Sequence, residues 1–154
     1  MDENLLEQLQ VLLDRKAIED QILHYSHLVD EKQFENLYDV MVPNAWIDYT
    51  ASGGIKGSVE DMKQYLSKSM AMFRSQHLMT NIESTIAPDR KTAKSTHILF
   101  NPMTMTLKGQ DHTFFCGLWY DCDWVRCEDG VWRIEKMIQR GSYTHNAPFP
   151  IKTS

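Results

Sequence analysis

The feature that most constrains the fold is a change in the spacing of apolar residues near His77. Before this residue, apolar side chains recur every three or four positions, from Leu5 to Leu13 and again from Ile18 to Val29. After it, apolar and polar residues alternate along most of the chain. The first spacing is that of one face of a helix, and the second is that of one face of a strand. We therefore predict helices first and a run of strands afterwards.

Two helices are predicted before the first strand. The long helix ends near Asp30, and we expect Ile18–Val29 to continue the apolar face that Leu5–Leu13 begins. A short helix follows over Glu31–Val40. Pro43 is expected to stop it, because proline has no backbone N–H to donate.

An early strand and a third helix complete this half of the chain. Ala45–Thr50 contains tryptophan, isoleucine and tyrosine, which favour strands. Ser58, with Asp61 three residues later, forms an acidic variant of a capping box, which predicts the start of a helix. The expected apolar face of that helix consists of Met62, Tyr65, Leu66, Met70 and Phe73.

Four strands are predicted in the second half, over His77–Ala87, Thr92–Met105, His112–Cys127 and Val131–Ser142. The pair Asp129-Gly130 between the last two is a strong hairpin signal. This order of elements predicts an α+β fold, a cone in which a curved antiparallel or mixed sheet wraps over the N-terminal helices. Such a sheet encloses a pocket, which is the default ligand site.

Charge and composition exclude several classes of protein. The length of 154 residues suits one domain over residues 1–154. The net charge is −5 and no dense Lys/Arg cluster occurs, which argues against nucleic-acid binding. No apolar run approaches the about 18 residues of a membrane span, and the acidic start does not fit a secretory signal. We expect a cytoplasmic protein that binds neither nucleic acid nor membrane.

Metal and cofactor motifs are also missing from the sequence. The cysteines at 116, 122 and 127 form no Cys-x-x-Cys pair, and no histidine pair has the spacing of a zinc site. His24 and His27 are three residues apart without a third candidate ligand nearby. Nucleotide-binding glycine motifs and the Gly-x-Ser-x-Gly elbow are absent. We predict no metal and no cofactor.

Asp30 and His77 are the leading candidates for acid–base chemistry. At the end of a helix, an aspartate is either a cap or a buried carboxylate that orients a histidine. A lone histidine is more often structural than catalytic, so position alone leaves both interpretations open. Tyr25 and Tyr49 are candidate proton donors or ordinary core aromatics. Arg140 would either neutralise an acidic group or lie exposed.

A series of short motifs occurs in order along the chain: Ala17-Ile18-Glu19-Asp20, Tyr25, Val29-Asp30, Trp46-Ile47-Asp48-Tyr49, Arg74-Ser75-Gln76-His77, His97 and Asp129-Gly130-Val131-Trp132. Together they resemble the scytalone dehydratase group of the SnoaL-like proteins, which belong to the NTF2-like superfamily. The similarity extends from about Leu12 to Tyr143. It implies a cone-shaped α+β fold around a pocket.

The resemblance also implies roles for individual residues. Asp30 matches the aspartate that hydrogen-bonds the catalytic histidine, and His77 matches that histidine, the general base. Tyr49 matches a tyrosine that polarises a substrate carbonyl. His97 matches a second histidine of the pocket, which we assign to substrate binding.

A related bile-acid dehydratase adds two matches, and three positions depart from the pattern. Tyr25 and Arg140 resemble pocket residues of that enzyme. The scytalone enzymes have a tyrosine where this chain has Val29, and polar residues near the positions of Trp119 and Asp121. We place Trp119, Asp121 and Arg140 among the substrate-binding residues, and we expect Tyr25 to replace the missing hydroxyl.

The function implied by the resemblance is that of a cofactor-independent dehydratase, a carbon–oxygen lyase, acting on a small apolar or polycyclic hydroxy ketone. Relatives also imply a homo-oligomer, either a dimer or a trimer. An isomerase or polyketide cyclase would use the same base, and a non-catalytic binding or accessory module would use the fold alone. The proline-rich segment Asn146–Pro150 is predicted to cover the pocket mouth or reach a neighbouring subunit.

Overall fold

The computed structural model describes residues 2–148. The helices are α1 (Glu3–Asp30) and α2 (Val59–Ser69), and the strands are β1 (Met41–Asp48), β2 (Lys56–Gly57), β3 (Phe73–Ser75), β4 (Leu78–Ile86), β5 (Thr92–Leu107), β6 (Gln110–Arg126) and β7 (Trp132–His145). Short 3-10 turns occupy Phe34–Asp39 and Thr50–Ser52. Neither helix combines the length and the apolar character that crossing a membrane requires.

All seven described strands form one sheet in the order β2-β1-β7-β6-β5, and both β3 and β4 pair with the remaining edge of β5. Strand β1 runs parallel to β7, and every other pair is antiparallel. The register between β6 and β7 shifts after Gly117 and again after Asp123. Such irregularities bend and twist a strand. The result is a curved mixed sheet with helices on its inner side, which confirms the predicted α+β class.

The core lies between α1 and the concave face of the sheet. Ile18, Ile22 and Tyr25 of α1 are buried, and Trp124 and Trp132 of the last two strands are almost completely buried as well. Because side chains alternate along a strand, every second residue of β6 from Phe114 to Trp124 points into this core, and β7 alternates in the same way on each side of its register shift.

The first turns of α1 do not belong to this core. Leu9 and Ile18 are nine residues apart, which corresponds to about two and a half helical turns. Their side chains therefore lie on opposite faces, and Leu5, Leu6, Leu9, Leu12 and Leu13 remain exposed. The prediction that one apolar face runs the whole length of the helix is wrong.

The capping box at the start of α2 is confirmed. The Asp61 backbone N–H donates to Ser58 Oγ at 3.2 Å, and the Ser58 backbone N–H donates to Asp61 Oδ2 at 2.9 Å. The helix ends at Ser69, so Phe73 belongs to β3 rather than to the helix face.

The predicted helix over Glu31–Val40 is only a 3-10 turn at Phe34–Asp39. Pro43 does not stop a helix but lies inside β1, which begins at Met41. The pairing of β1 with β7 skips the residues between Met41 and Trp46, so the sheet requires no N–H donor from the proline. Of the predicted pocket-mouth segment, the part from Phe149 onward lies outside the described residues.

Candidate functional site

The concave face of the sheet and the C-terminal half of α1 border a cavity of about 290 Å³. Its wall is largely apolar and includes Val29, Leu99 and Leu118. Polar side chains reach the same cavity from several elements: Tyr25, Tyr49, Ser52, Tyr65, Ser69, His77, Asn101, Tyr120 and Gln139. An apolar cavity with a few convergent polar groups is the usual form of a small-molecule site.

Asp30, the last residue of α1, accepts three hydrogen bonds. Ser75 Oγ lies 2.8 Å from Oδ1, the His77 backbone N lies 2.8 Å from Oδ2, and His77 Nδ1 lies 2.6 Å from Oδ1. His77 sits in the break between β3 and β4, which lets its backbone N–H point to the carboxylate. Burial opposes ionisation of Asp30, but the bonds from His77 and Ser75 outweigh it and lower the pKa of the carboxyl group.

The bond to Asp30 determines where the neutral His77 ring carries its proton. An ionised carboxylate can only accept, so Nδ1 is the donor and Nε2 keeps a lone pair. The His77 side chain is only 7% exposed and lines the cavity. The structure thus brings together the two residues that the resemblance paired, with an unprotonated ring nitrogen at the cavity.

Asn101 was not among the predicted site residues, yet it faces His77. It lies on β5, it is buried, and its Nδ2 is 3.4 Å from His77 Nε2. Its Oδ1 has no hydrogen-bond partner among residues 2–148. An unpaired buried polar atom costs about 1–3 kcal/mol, so a ligand donor at this point would relieve a real penalty. The sequence held one signal for it: Asn101 shares the alternation of His97 and Leu99.

Three tyrosines from different elements meet at the cavity. Tyr25 on α1 and Tyr49 after β1 have hydroxyl oxygens 2.5 Å apart. The ring of Tyr120 on β6 packs edge-on against both, with ring centres 6.1 and 6.4 Å away. Gln139 Nε2 donates to the Tyr120 hydroxyl at 2.8 Å, and Ser52 Oγ donates to Gln139 Oε1 at 2.5 Å. Tyr25 and Tyr49 were predicted here, whereas Tyr120, Gln139 and Ser52 were not.

Burial dominates the electrostatics of these hydroxyl groups. It raises the pKa of Tyr25, Tyr49 and Tyr120 well above the ordinary value of 10.0, because a phenolate would be poorly solvated there. All three therefore stay protonated at neutral pH and can act as hydrogen-bond donors. A set of neutral donors in a largely apolar cavity is suited to a ligand oxygen that gains negative charge.

His97 does not line the cavity as predicted. It is completely buried behind the wall, and its ring stacks on Tyr120 with centres 5.2 Å apart. Burial lowers its pKa to about 4, so the ring is neutral at pH 7. Neither ring nitrogen has a partner among the described residues. Asn101, four residues further along β5, takes the place opposite His77.

The expectation that three residues of β6 and β7 reach the pocket is wrong. The outer face of the sheet holds Trp119, Asp121 and Arg140. Arg140 Nε donates to Asp121 Oδ2 at 2.5 Å, and its guanidinium lies 5.6 Å from the centre of the Trp119 ring. Alternation along β6 explains the error, because Leu118 and Tyr120 on either side point inward. These three residues form an outer ion pair and a cation–π contact.

Known proteins resemble this chain in both sequence and fold. An uncharacterized protein of Mycobacterium tuberculosis is 40% identical over 127 residues, which covers 82% of this chain and 84% of that protein. A candidate scytalone dehydratase from Novosphingobium aromaticivorans superposes with a TM-score of 0.78 at 18% identity, covering 92% and 93% of the two chains. A hexachlorocyclohexane dehydrochlorinase from Novosphingobium barchaimii superposes with a TM-score of 0.76 at 17% identity, covering 96% and 99%.

The structural similarity at such low identity establishes the fold, which is the NTF2-like cone. The SnoaL-like domain family matches residues 10–138, which include α1 from its second turn and nearly all of the sheet. The matched part contains Asp30, His77, Asn101 and the tyrosines that line the cavity. This chain belongs to the SnoaL-like domain family.

Proposed function

We propose that this protein is a cofactor-independent lyase that eliminates water from a small cyclic hydroxy ketone, with His77 as the general base. The observation that carries the proposal is the bond from His77 Nδ1 to Asp30, which leaves the Nε2 lone pair beside an apolar cavity. Relatives of this fold include proteins described as a dehydrochlorinase and a scytalone dehydratase, both of which name elimination reactions.

The reaction begins with transfer of the proton α to the ketone from carbon to Nε2 of His77. The ring becomes positively charged, and the ionised Asp30 next to Nδ1 stabilises that charge. A positioned base of this kind contributes about 10²–10⁴-fold to the rate.

The electrons of the broken C–H bond move toward the carbonyl oxygen, which becomes an enolate. Tyr25 and Tyr49 would receive it, because their hydroxyls are neutral, buried and already in contact with each other. Loss of one such preorganised donor costs about 10²–10³-fold in rate in a measured case. The carbon–carbon double bond then forms as the carbon–oxygen bond to the leaving hydroxyl breaks, and the imidazolium proton joins that hydroxyl as water.

The cavity also constrains the substrate class. Its volume of about 290 Å³ and its largely apolar wall favour one small or compact fused ring system. Asn101 offers an unpaired acceptor beside Nε2, a suitable partner for the leaving hydroxyl group of the substrate. The cavity side chains that we describe offer no formal positive charge, so a neutral ketone suits the site better than a carboxylate.

The test follows proton exchange and water loss separately. Cyclic β-hydroxy ketones are incubated with the protein in D₂O, and NMR and mass spectrometry measure deuterium at the α-carbon and loss of water. We expect both with the wild type, and a fall of about 10²–10⁴-fold in both with His77→Ala. His27→Gln is the matched control, since His27 is exposed on the same helix as Asp30.

Three other outcomes of this experiment would change the proposed function. Exchange without water loss would replace the lyase with an isomerase or a polyketide cyclase that uses the same base. Ligand binding without exchange would favour a non-catalytic binding or accessory module. A His77→Ala variant that folds and keeps the wild-type rate would overturn the assignment of the base.

A further inference from the structure

The N-terminal half of α1 presents an apolar face that nothing else in residues 2–148 covers. Its five leucines are each between 42% and 60% exposed: Leu5, Leu6, Leu9, Leu12 and Leu13. They lie on one side of the helix, opposite the side that Ile18, Ile22 and Tyr25 pack into the core. A contiguous apolar patch of this kind marks an interaction surface. We call these five residues the leucine stripe.

The leucine stripe is symmetric about its centre. Leu5 and Leu13 lie at equal distances before and after Leu9, and so do Leu6 and Leu12. The next residues of the same face, one turn beyond each end, are Asp2 and Lys16, again equidistant from Leu9. When the helix is reversed about Leu9, each leucine of the stripe therefore takes the position of another leucine. The two charged ends exchange places, so Asp2 takes the position of Lys16.

We propose that the leucine stripe binds the same stripe of a second copy of this chain, with the two α1 helices antiparallel and the two-fold axis at Leu9. In that arrangement each residue faces the one equally far on the other side of Leu9. Leu5 then meets the partner's Leu13, and Asp2 meets the partner's Lys16. A parallel pair would instead bring like charges together at both ends, which is unfavourable.

The charged residues at the ends remain accessible for such contacts. Lys16 pairs with Asp20 in its own helix, but its side chain is 59% exposed and an ammonium group has three donors. Asp2 caps α1 by accepting from the Asn4 backbone N at 3.1 Å. Antiparallel packing also aligns the two helix dipoles favourably.

Charge argues against a lipid surface as the occupant of the stripe. Helices that lie on membranes carry Lys and Arg on the polar face. Residues 2–16, which include both charged ends of the stripe, contain four acidic side chains, at positions 2, 3, 7 and 14, and two basic ones, at positions 15 and 16, so the segment carries a net negative charge. Anionic lipid would repel this segment, whereas the reversed charge pattern of a second copy complements it.

The size of the stripe sets the expected strength. From Leu5 to Leu13 the helix rises about 12 Å, so the contact is smaller than the about 1,200–2,000 Å² of stable interfaces. We therefore expect a reversible association with a dissociation constant in the micromolar range. Sedimentation equilibrium of the full chain over a series of concentrations measures it.

Leu9→Lys should weaken this association about 10²-fold or more, because it places two charges at the centre of the apolar contact. Asn4→Lys adds the same charge on the other side of the helix and should leave the association unchanged. Asp2→Lys and Lys16→Asp should each weaken it, and the double variant should restore it. Circular dichroism verifies that each variant keeps its helix, since Asp2 is also the cap.

Cysteine cross-linking fixes the direction of the helices. A mixture of Leu5→Cys and Leu13→Cys chains should form a disulfide-linked pair, whereas Leu5→Cys alone should not, and the wild type under the same oxidation is the control. Self-linking of Leu5→Cys would overturn the antiparallel arrangement. A mass independent of concentration, a mass unaffected by Leu9→Lys, or binding of the stripe to phosphatidylserine vesicles in place of a second copy would overturn the proposal itself.

Discussion

Replacement of Asp30 by asparagine tests the site with a change of very few atoms. The carboxylate accepts from Ser75 Oγ, from His77 Nδ1 and from the His77 backbone N–H. An asparagine has one oxygen acceptor and one NH₂ donor. The backbone N–H cannot rotate away, so the asparagine oxygen must remain in front of it and the NH₂ group must face His77 Nδ1.

This exchange forces a change of tautomer in His77. Because Nδ1 then faces the NH₂ group of the asparagine, it must accept a hydrogen bond. The ring proton therefore moves to Nε2, and the cavity loses its base. The rate should fall by about 10²–10⁴-fold, the usual contribution of a general base. Stability should fall by about 1–3 kcal/mol, because a charge-assisted hydrogen bond becomes a neutral one in a buried place.

Three measurements follow the Asp30→Asn variant. Turnover of a cyclic hydroxy ketone gives the rate, urea unfolding gives the stability, and ¹⁵N NMR of the His77 ring identifies the protonated nitrogen. Asp121→Asn is the matched control, since Asp121 is also paired but lies on the outer face and should leave the rate unchanged. A folded Asp30→Asn variant with the proton still on Nδ1 and a normal rate would refute the reasoning.

Three further expectations concern other groups of the site. Tyr49→Phe should lower kcat up to about 10²-fold with little change in KM, because one enolate donor is lost while Tyr25 remains; an unchanged kcat in a steady-state assay would remove Tyr49 from the mechanism. Asn101→Leu should match or exceed the wild type in unfolding free energy, by up to about 1 kcal/mol, since an unpaired buried oxygen disappears, yet it should be less active; urea unfolding with a parallel rate assay tests both. The pKa of Asp30 is lowered below its ordinary 3.8 in the folded state, so the contribution of its carboxylate to stability is present above that value and is lost as the pH falls through the lowered pKa. The urea midpoints of the wild type and Asp30→Asn should therefore converge in acid. A constant difference between the two midpoints would contradict this.

Local chemistry made several elements predictable from the sequence. The Ser58–Asp61 capping box depends only on neighbouring residues, and it begins α2 as expected. The alternation after His77 reflects the period of a strand, and the long strands β5 and β6 follow it. The fold class could be inferred for the same reason, because the spacing of the apolar residues indicates the order of the helices and strands.

Errors arose where a pattern had more than one physical solution. Trp119 and Asp121 share a strand with Tyr120, and alternation says only that they face the other way, not which side is the cavity. His97 and Asn101 have the same parity on β5 and are about 13 Å apart along the strand. The curvature of the sheet, not the alternation, decides which of them comes within reach of His77.

The sequence by itself determined the spacing of apolar residues in each segment and the positions of caps and turns. It also contains an aspartate, a histidine and tyrosines of the chemical type that the site requires. Only the tertiary structure decided which groups meet: Asp30 with His77, Tyr25 with Tyr49, and Asn101 with the unprotonated nitrogen of the His77 ring. It also decided that α1 buries Ile18 and leaves Leu9 exposed. The physical reason is that spacing along a chain specifies a face, whereas contact requires a second element to be brought against that face.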